Sequence, residues 1–243
     1  MSNQMVFKRY EIKYMITHEQ KECLKRLSAE FMRADEHGKN TICNIYFDTP
    51  DYRLIRESIE KPLYKEKLRL RSYGTATPTT EVFAEIKKKY KSVVYKRRIE
   101  LPERNAMGYL CRGESIPDSQ IKREIDYFLH FYGDIEPRVH ISYRREALYS
   151  RTDSNFRITF DDTVLYRTEA LSLCEAPYGT PILNEGDVLL EVKTAGGMPM
   201  WLVRWLNENG IYKRSFSKYG TAYAMMLRNK ETDGQGKDSV IYA

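Results

Sequence analysis

The sequence predicts an α+β fold in which an antiparallel sheet closes into a barrel with helices packed outside. Three observations carry that prediction. Several short segments alternate aliphatic and charged residues with period 2, which places each set on one side of a sheet. In "EKLRLRSYG" (66–74), for example, Lys67, Arg69 and Arg71 oppose Leu68 and Leu70. Three such segments, 66–73, 79–89 and 91–101, follow one another too closely for crossover helices, so they pair as antiparallel hairpins. Other strands are separated by stretches with helical capping signals and apolar stripes.

In chain order, "FKRYEIKYMI" (7–16) is the first strand. A helix follows over "THEQKECLKRLSAEFM", where Thr17 and Gln20 make a capping box and Cys23, Leu24, Leu27 and Phe31 form an apolar stripe. "TICNIYFD" (41–48) is a strand, and "TPDY" opens a turn or short helix before the three hairpin strands. "PERNAMGYLC" and "SQIKREIDYFLHFYG" are helices. Residues 136–150 and 155–166 are long strands joined by a polar turn, and 186–194 is another strand. "MPMWLVRWLNENG" is a helix ended by Gly210, with Trp201 and Trp205 packing on one side, and "SKYGTAYAMMLRN" is the final helix. With no repeat or long linker, residues 1–230 form a single domain and 231–243 a loose tail.

The 243 residues are 42% hydrophobic, enough to bury a core. Net charge is +6, which fits a polyanionic partner, while 34 Asp and Glu exclude a simple basic tail. Cys23, Cys43, Cys111 and Cys174 lie far apart without C-x-x-C, which suits a reduced cytoplasmic chain and argues against a zinc site. His18, His37, His130 and His140 show no ligand spacing. No run reaches the roughly 18 apolar residues of a membrane span, and the N-terminus lacks a signal peptide's apolar core. The expected location is the cytoplasm, with docking on a membrane protein left open. "IKKKYK" (86–91) occurs without a recognised nucleic-acid-binding fold, so no nucleic acid is expected as a partner.

The charged strand face recurs. Glu11 and Lys13 share one, as do Glu85, Lys87 and Lys89, then Lys96, Arg98 and Glu100, then Arg157, Thr159 and Asp161, and finally Glu191 and Lys193. Any one of these alone reads more readily as the wet side of an ordinary antiparallel sheet. Their recurrence argues instead for a lumen lined with cations. Such a lumen is costly when empty and favourable around a polyphosphate, whose oxygens accept charge-assisted hydrogen bonds. The few inward carboxylates suit a divalent metal bridging phosphate oxygens.

At this point the ordered set "RYEIKY", "IYFDT", "KLRLRSYG", "FAEIKKK", "KSVVYKRR", "YRREAL…FRITFDDT", "LLEVK" and "SFSKYG" resembles the VTC domain of polyphosphate polymerases, within the triphosphate tunnel metalloenzyme (CYTH-like) superfamily. The resemblance covers about residues 5 to 228. It implies a closed eight-stranded tunnel that binds triphosphate with Mn²⁺ or Mg²⁺. It implies transfer of the ATP γ-phosphate onto a growing polyphosphate. On that resemblance, Lys67, Arg69, Arg71, Lys87, Lys96, Arg98, Arg145, Arg157 and Ser217 bind phosphate. Lys13, Lys193 and Lys218 act at the transferred group, and Glu191, Glu11 and Glu85 hold the metal. The implied partners are ATP and inorganic polyphosphate or pyrophosphate.

Three points stay open on the residues. Arg145 shares its strand face with Val139, Ile141 and Tyr143, so either a bulge shifts the register or Arg138 points inward instead. Tyr46 or Tyr73 is a candidate ring for stacking on the base. Hydrolytic members of the superfamily often begin with ExExK, whereas this chain has Arg9 at the first acidic position. A phosphate acceptor is already nucleophilic and needs no activated water, so Arg9 favours a transferase. The alternatives are a triphosphatase acting on inorganic or nucleoside triphosphate, and a non-catalytic polyphosphate sensor.

Overall fold

The computed structural model describes residues 10–91 and 93–235, side chains 36, 37 and 230–235 excepted. Arg9, the start of the first strand and residues 236–243 lie outside the described residues. The strands are β1 (Tyr10–Thr17), β2 (Met32–Asp48), β3 (Tyr64–Tyr73), β4 (Glu81–Tyr90), β5 (Val93–Pro102), β6 (Glu136–Ser150), β7 (Arg157–Arg167), β8 (Thr180–Pro181) and β9 (Asp187–Thr194). The helices are α1 (His18–Ser28), α2 (Arg53–Ile59), α3 (Glu103–Arg112), α4 (Gln120–Tyr132), α5 (Met200–Glu208) and α6 (Lys218–Gln235).

Among the described residues the nine strands make one antiparallel sheet in the order β1-β9-β7-β6-β2-β3-β4-β5, with the two-residue β8 on β7. This corrects the expected closed eight-stranded barrel, because no pairing among the described residues joins β1 to β5. The sheet curls instead of closing: Lys87 on β4 acts electrostatically on Glu11 of β1, and Lys13 on β1 acts on Lys67 of β3. The two free edges carry charged residues, Glu11 and Lys13 on β1 and Lys96, Arg97, Arg98 and Glu100 on β5. Charged edges are also how sheets resist further pairing.

The period-2 pattern decides which face meets which helix. On the convex side, Leu68, Leu70, Ala84 and Ile86 pack under α3 and α4 with Tyr109, Ile125 and Phe128. Ile16, Ile158, Leu190 and Val192 pack under α1 and α5 with Leu24, Leu202 and Trp205. The capping box of Thr17 and Gln20 starts α1 as predicted, but only Leu24 of the predicted stripe is buried. The helix ends at Ser28, so Leu27 stays 42% exposed and Phe31 instead stacks on Trp201 at 5.2 Å.

The third cluster lies on the concave side. There α6 covers Tyr46, Val139, Ile141 and Tyr143 with Tyr219, Ala222 and Tyr223. The face shared by Arg145 is therefore apolar where α6 lies on it and charged beyond. Arg145 points inward with no slip between Val139 and Arg145, while β6 bulges at Arg138, which bonds Glu136 and the Pro50 carbonyl at the surface. The bulge sits on β7: Ser142 pairs Leu165 but Arg144 pairs Asp162, and Thr163 takes φ 49°. One extra residue flips the alternation. Asp161 faces in, Asp162 faces out toward Arg144 and Lys21, and Val164 and Tyr166 turn back in under α6.

Candidate active site

The concave face is a cationic trough, and strand register builds it. Antiparallel pairing sets Lys13 opposite Glu191 and Glu11 opposite Lys193, so opposite charges meet directly across β1 and β9. β7 adds Arg157 beside Lys193 and Thr159 beside Glu191. Glu191, 5% exposed, becomes the hub: Arg145 lies 3.1 Å away, Lys218 3.4 Å, Lys13 3.5 Å and Lys193 3.6 Å. Asp161, fully buried, accepts two hydrogen bonds of 2.6 Å from the Arg145 guanidinium and one of 2.5 Å from Lys218.

Charge follows from these neighbours. Burial pushes the Glu191 carboxyl up, but Lys218, Arg145, Lys193 and Lys13 outweigh it and hold the group well below the usual carboxylate range. For Glu11, burial and the Glu191 charge push up, and Lys87, Lys193 and Lys13 hold it at about 2. Lys193 moves the other way: burial lowers it to about 8 despite Glu191 nearby.

A second cluster forms on β3, β4 and β5, where Glu85 pairs Arg69 on one side and Arg98 on the other in register. Its carboxylate meets Arg69 at 2.6 Å, Lys96 at 2.5 Å and Arg71 at 3.9 Å. Burial raises Glu85, yet Arg69, Arg71 and Lys96 bring it to about 2. Burial takes Lys96 down to about 8 even beside Glu85. Arg71 donates to Asn44 at 2.9 Å, and Arg69 donates to the Tyr46 hydroxyl at 3.2 Å.

The remaining predicted residues occupy the two ends. Lys67, Lys87 and Lys96 stand abreast across three strands. Burial, with Lys65, Lys87 and Lys13 nearby, lowers Lys67 to about 8. Lys67 donates to Ser217 Oγ at 3.4 Å, and Lys13 to the Phe216 carbonyl at 3.0 Å, so the entry into α6 lies against this end. At the other end Arg98 and Arg157 border a cavity of about 870 Å³ with Tyr73 and Tyr149.

Thr159 Oγ1 and Arg157 Nε are buried and find no hydrogen-bond partner in the protein. Thr159 and Asp161 were legible as neighbours of Arg157 on one face; nothing in the pattern showed that Asp161 binds both Arg145 and Lys218. Tyr46 is buried and stacked on Tyr219 at 4.8 Å, which removes it as a free ring, whereas Tyr73 is 52% exposed.

The metal test separates the three predicted carboxylates. Among the described residues no three His, Cys, Asp or Glu gather as a metal cage. Glu85 and Glu191 are each ringed by cations, but Glu191 also acts on Glu11 and has the unpartnered Thr159 hydroxyl opposite it on β7. One or two carboxylates, completed by waters and substrate phosphates, is the donor set Mg²⁺ or Mn²⁺ uses on phosphates. Glu11 and Glu191 fit that set.

The search of curated proteins returned no match. Among solved structures, an adenylate-cyclase candidate from Bacillus halodurans is 13% identical with a TM-score of 0.54, covering 86% of this chain and 95% of its own. An adenylyl-cyclase candidate from Hippeastrum, described as having a dominant triphosphatase activity, is 16% identical with a TM-score of 0.53, covering 88% of this chain and 94% of its own. Both likenesses are of fold. Among the described residues no helix is long and apolar enough to cross a membrane. The VTC domain family matches residues 8–227, nearly the whole length, and this chain belongs to that family.

Proposed function

We propose that this protein is a metal-dependent polyphosphate polymerase that moves the ATP γ-phosphate onto an inorganic polyphosphate. The observation that carries the reading is the charge state of the trough. Its cations outnumber its carboxylates, and Glu11, Glu85 and Glu191 are all held far below neutral by cations. The trough thus offers a strong field for phosphates, and these three carboxylates are poor bases for activating water.

In this reading Arg69, Arg71, Arg145 and Arg157 hold phosphate oxygens, as planar guanidinium groups do well. Lys13, Lys193 and Lys218 surround the transferred phosphoryl group and offset its charge. A terminal oxygen of the acceptor chain attacks the γ-phosphorus, the bond to the β–γ bridging oxygen breaks, and ADP leaves. That acceptor oxygen is already ionised, so no proton needs removal. Glu191 and Glu11 would hold Mn²⁺ or Mg²⁺, which supplies charge neutralisation on the phosphates. Asp161 positions Arg145 and Lys218.

A triphosphatase is the second reading, favoured by the activity described for the Hippeastrum protein of the same fold. Incubation with ATP, Mn²⁺ and a short polyphosphate primer separates them. A polyphosphate ladder on a gel supports the polymerase. Free phosphate without a ladder supports hydrolysis, and polyphosphate binding without either product makes the chain a sensor.

A further inference from the structure

The convex side of the sheet, away from the trough, carries a dense apolar patch. Where α4 meets the ends of β3, β4 and β5, Leu63 is 71% exposed, Tyr127 64% and Phe131 55%, and Tyr64, Tyr90 and Tyr95 are exposed beside them. Alternation puts the three strand tyrosines on the outer side: Tyr64 shares its face with the core residue Leu68, Tyr90 with Ile86 and Tyr95 with Ile99. The rings are contiguous. Tyr127 stacks on Phe131 at 6.0 Å, and Phe131 meets Tyr132 edge to face at 4.9 Å. Tyr132 and Tyr64 both donate to the buried Glu66 at 3.0 Å, and Tyr64 and Tyr127 lie close enough to act on one another electrostatically. Tyr90 stands opposite Tyr64 in the ladder, and the Lys91 N–H bonds the Leu63 carbonyl at 2.7 Å. Exposed apolar residues gathered on one face mark an interaction site, as singly scattered ones do not.

Charge narrows the kind of partner. Lys88 sits in register between Glu66 and Tyr95, and Lys91 lies over the Tyr90 ring at 5.5 Å. Lys61 takes φ 57° at the turn into β3, three residues before Tyr64. Two carboxylates of this face are already engaged: Glu66 accepts from the two phenols, and Glu124 faces Arg97 at 3.9 Å. The patch therefore presents rings edged by lysine, which suits a partner that is apolar in depth and anionic at its surface.

A second copy of the chain fits this description poorly. A twofold contact sets a patch against itself and would bring these lysines onto their own copies. A folded partner needs a hollow to receive Leu63 and the rings. A lipid surface needs none: tyrosines settle at the level of the headgroups, apolar tips enter the acyl boundary, and lysines reach anionic headgroups on flexible stems. We propose that this face docks the protein reversibly on an anionic lipid bilayer. Leu63, Tyr64, Tyr127 and Phe131 lie at the boundary between headgroups and acyl chains, and Lys61, Lys88 and Lys91 meet the anionic headgroups. Such docking is by surface side chains alone and requires no spanning helix. It holds whichever reaction the trough performs.

Vesicle sedimentation with the full chain tests this. The probes are vesicles of phosphatidylcholine alone and vesicles in which about a third of the lipid is phosphatidylglycerol, at about 0.1 M salt. The protein is expected to partition onto the anionic vesicles about tenfold more strongly than onto the neutral ones. Lys61→Ala combined with Lys91→Ala should weaken anionic-vesicle binding about tenfold, and Tyr127→Ser combined with Phe131→Ser by a similar factor. Saturating tripolyphosphate, at matched ionic strength, should leave the binding in place. Loss of binding with tripolyphosphate puts the lipid in the trough and overturns the proposal. Equal binding to both vesicle types, or to neither, overturns it too. So does self-association that the ring variant abolishes without any vesicle binding, which makes the face a contact between copies. Retention of a single-stranded oligonucleotide in place of vesicles overturns it in favour of nucleic acid. Matching thermal melts establish that both double variants are folded; if the ring pair melts early, Tyr127→Ser alone carries that arm, with a loss of about threefold expected.

Discussion

Glu191 is the residue whose loss is felt most widely. Four cations lie within 3.6 Å of it, and two of them, Arg145 and Lys218, are largely shut off from water. Glu191→Gln keeps the shape and removes the charge. It should cost roughly 3 kcal/mol in urea unfolding, as breaking a buried ion pair does, and abolish polymer formation in the ladder assay. Full activity in this variant rules out the metal and hub assignment. The lysines give a pH prediction. Lys67, Lys96 and Lys193 sit at about 8 in the folded chain, below their ordinary 10.5. A lowered folded value means the folded chain binds these protons less readily, so the free protein gains stability as pH rises from about 8 toward 10.5. A bound polyanion reverses that and draws protons in. Titration calorimetry with polyphosphate at pH 8.5, run in buffers of different ionisation enthalpy, should show net proton uptake, and zero uptake contradicts it. At the acid end the slope has the same sign: Glu11 and Glu85, held at about 2, contribute stability above 4.5 that is lost as pH falls toward 2. Most of these residues were legible because alternation alone places Arg69, Lys87, Arg157 and Glu191 on charged faces. Arg145 came from the family resemblance and not from alternation, because the α6 contacts that make its face apolar come from far along the chain.

Among the elements, α2 and α6 are joined through one side chain. The buried Asp48 carboxylate accepts from the backbone N–H groups of Thr49, Leu54 and Ile55 and from the Tyr219 hydroxyl. It caps α2, whose N-cap Tyr52 supplies no side-chain bond, and ties down the start of α6, which carries Lys218. Asp48→Ala leaves four buried donors without an acceptor and should lower unfolding free energy by about 3 kcal/mol. It should also weaken tripolyphosphate binding, because Lys218 loses its anchorage; an intact melting temperature would show the link to be dispensable. The strands with clean alternation were readable, and β6 matches its predicted 136–150 span. The first part of β2 was not, since "MRADEHGKN" has no apolar alternation and its ladder breaks between Ala34 and Lys39. The β7 bulge left one trace, the doubled Asp161–Asp162, which becomes meaningful only once Thr163 is seen to turn.

For the whole molecule, the empty trough is under electrostatic stress that a ligand relieves. At a hundredfold excess over its dissociation constant, tripolyphosphate should add about 2.7 kcal/mol, or about 5–10 °C in melting temperature for a chain of this size. Sodium chloride at matched ionic strength should give far less, and equal shifts would mean general screening. Closure was the fold feature least legible in the sequence. Alternation reports which side a residue faces; it carries no information on whether the first and last edges meet, because that pairing joins distant segments. The seam between β1 and β5 has its own consequence. A closed barrel has a bore set by strand number and shear. Here the wall is a clasp rather than a hoop, held across its gap by side chains and by the segment at Arg214, whose N–H bonds the Lys13 carbonyl at 2.8 Å. An open seam leaves the calibre of this wall unfixed by that rule.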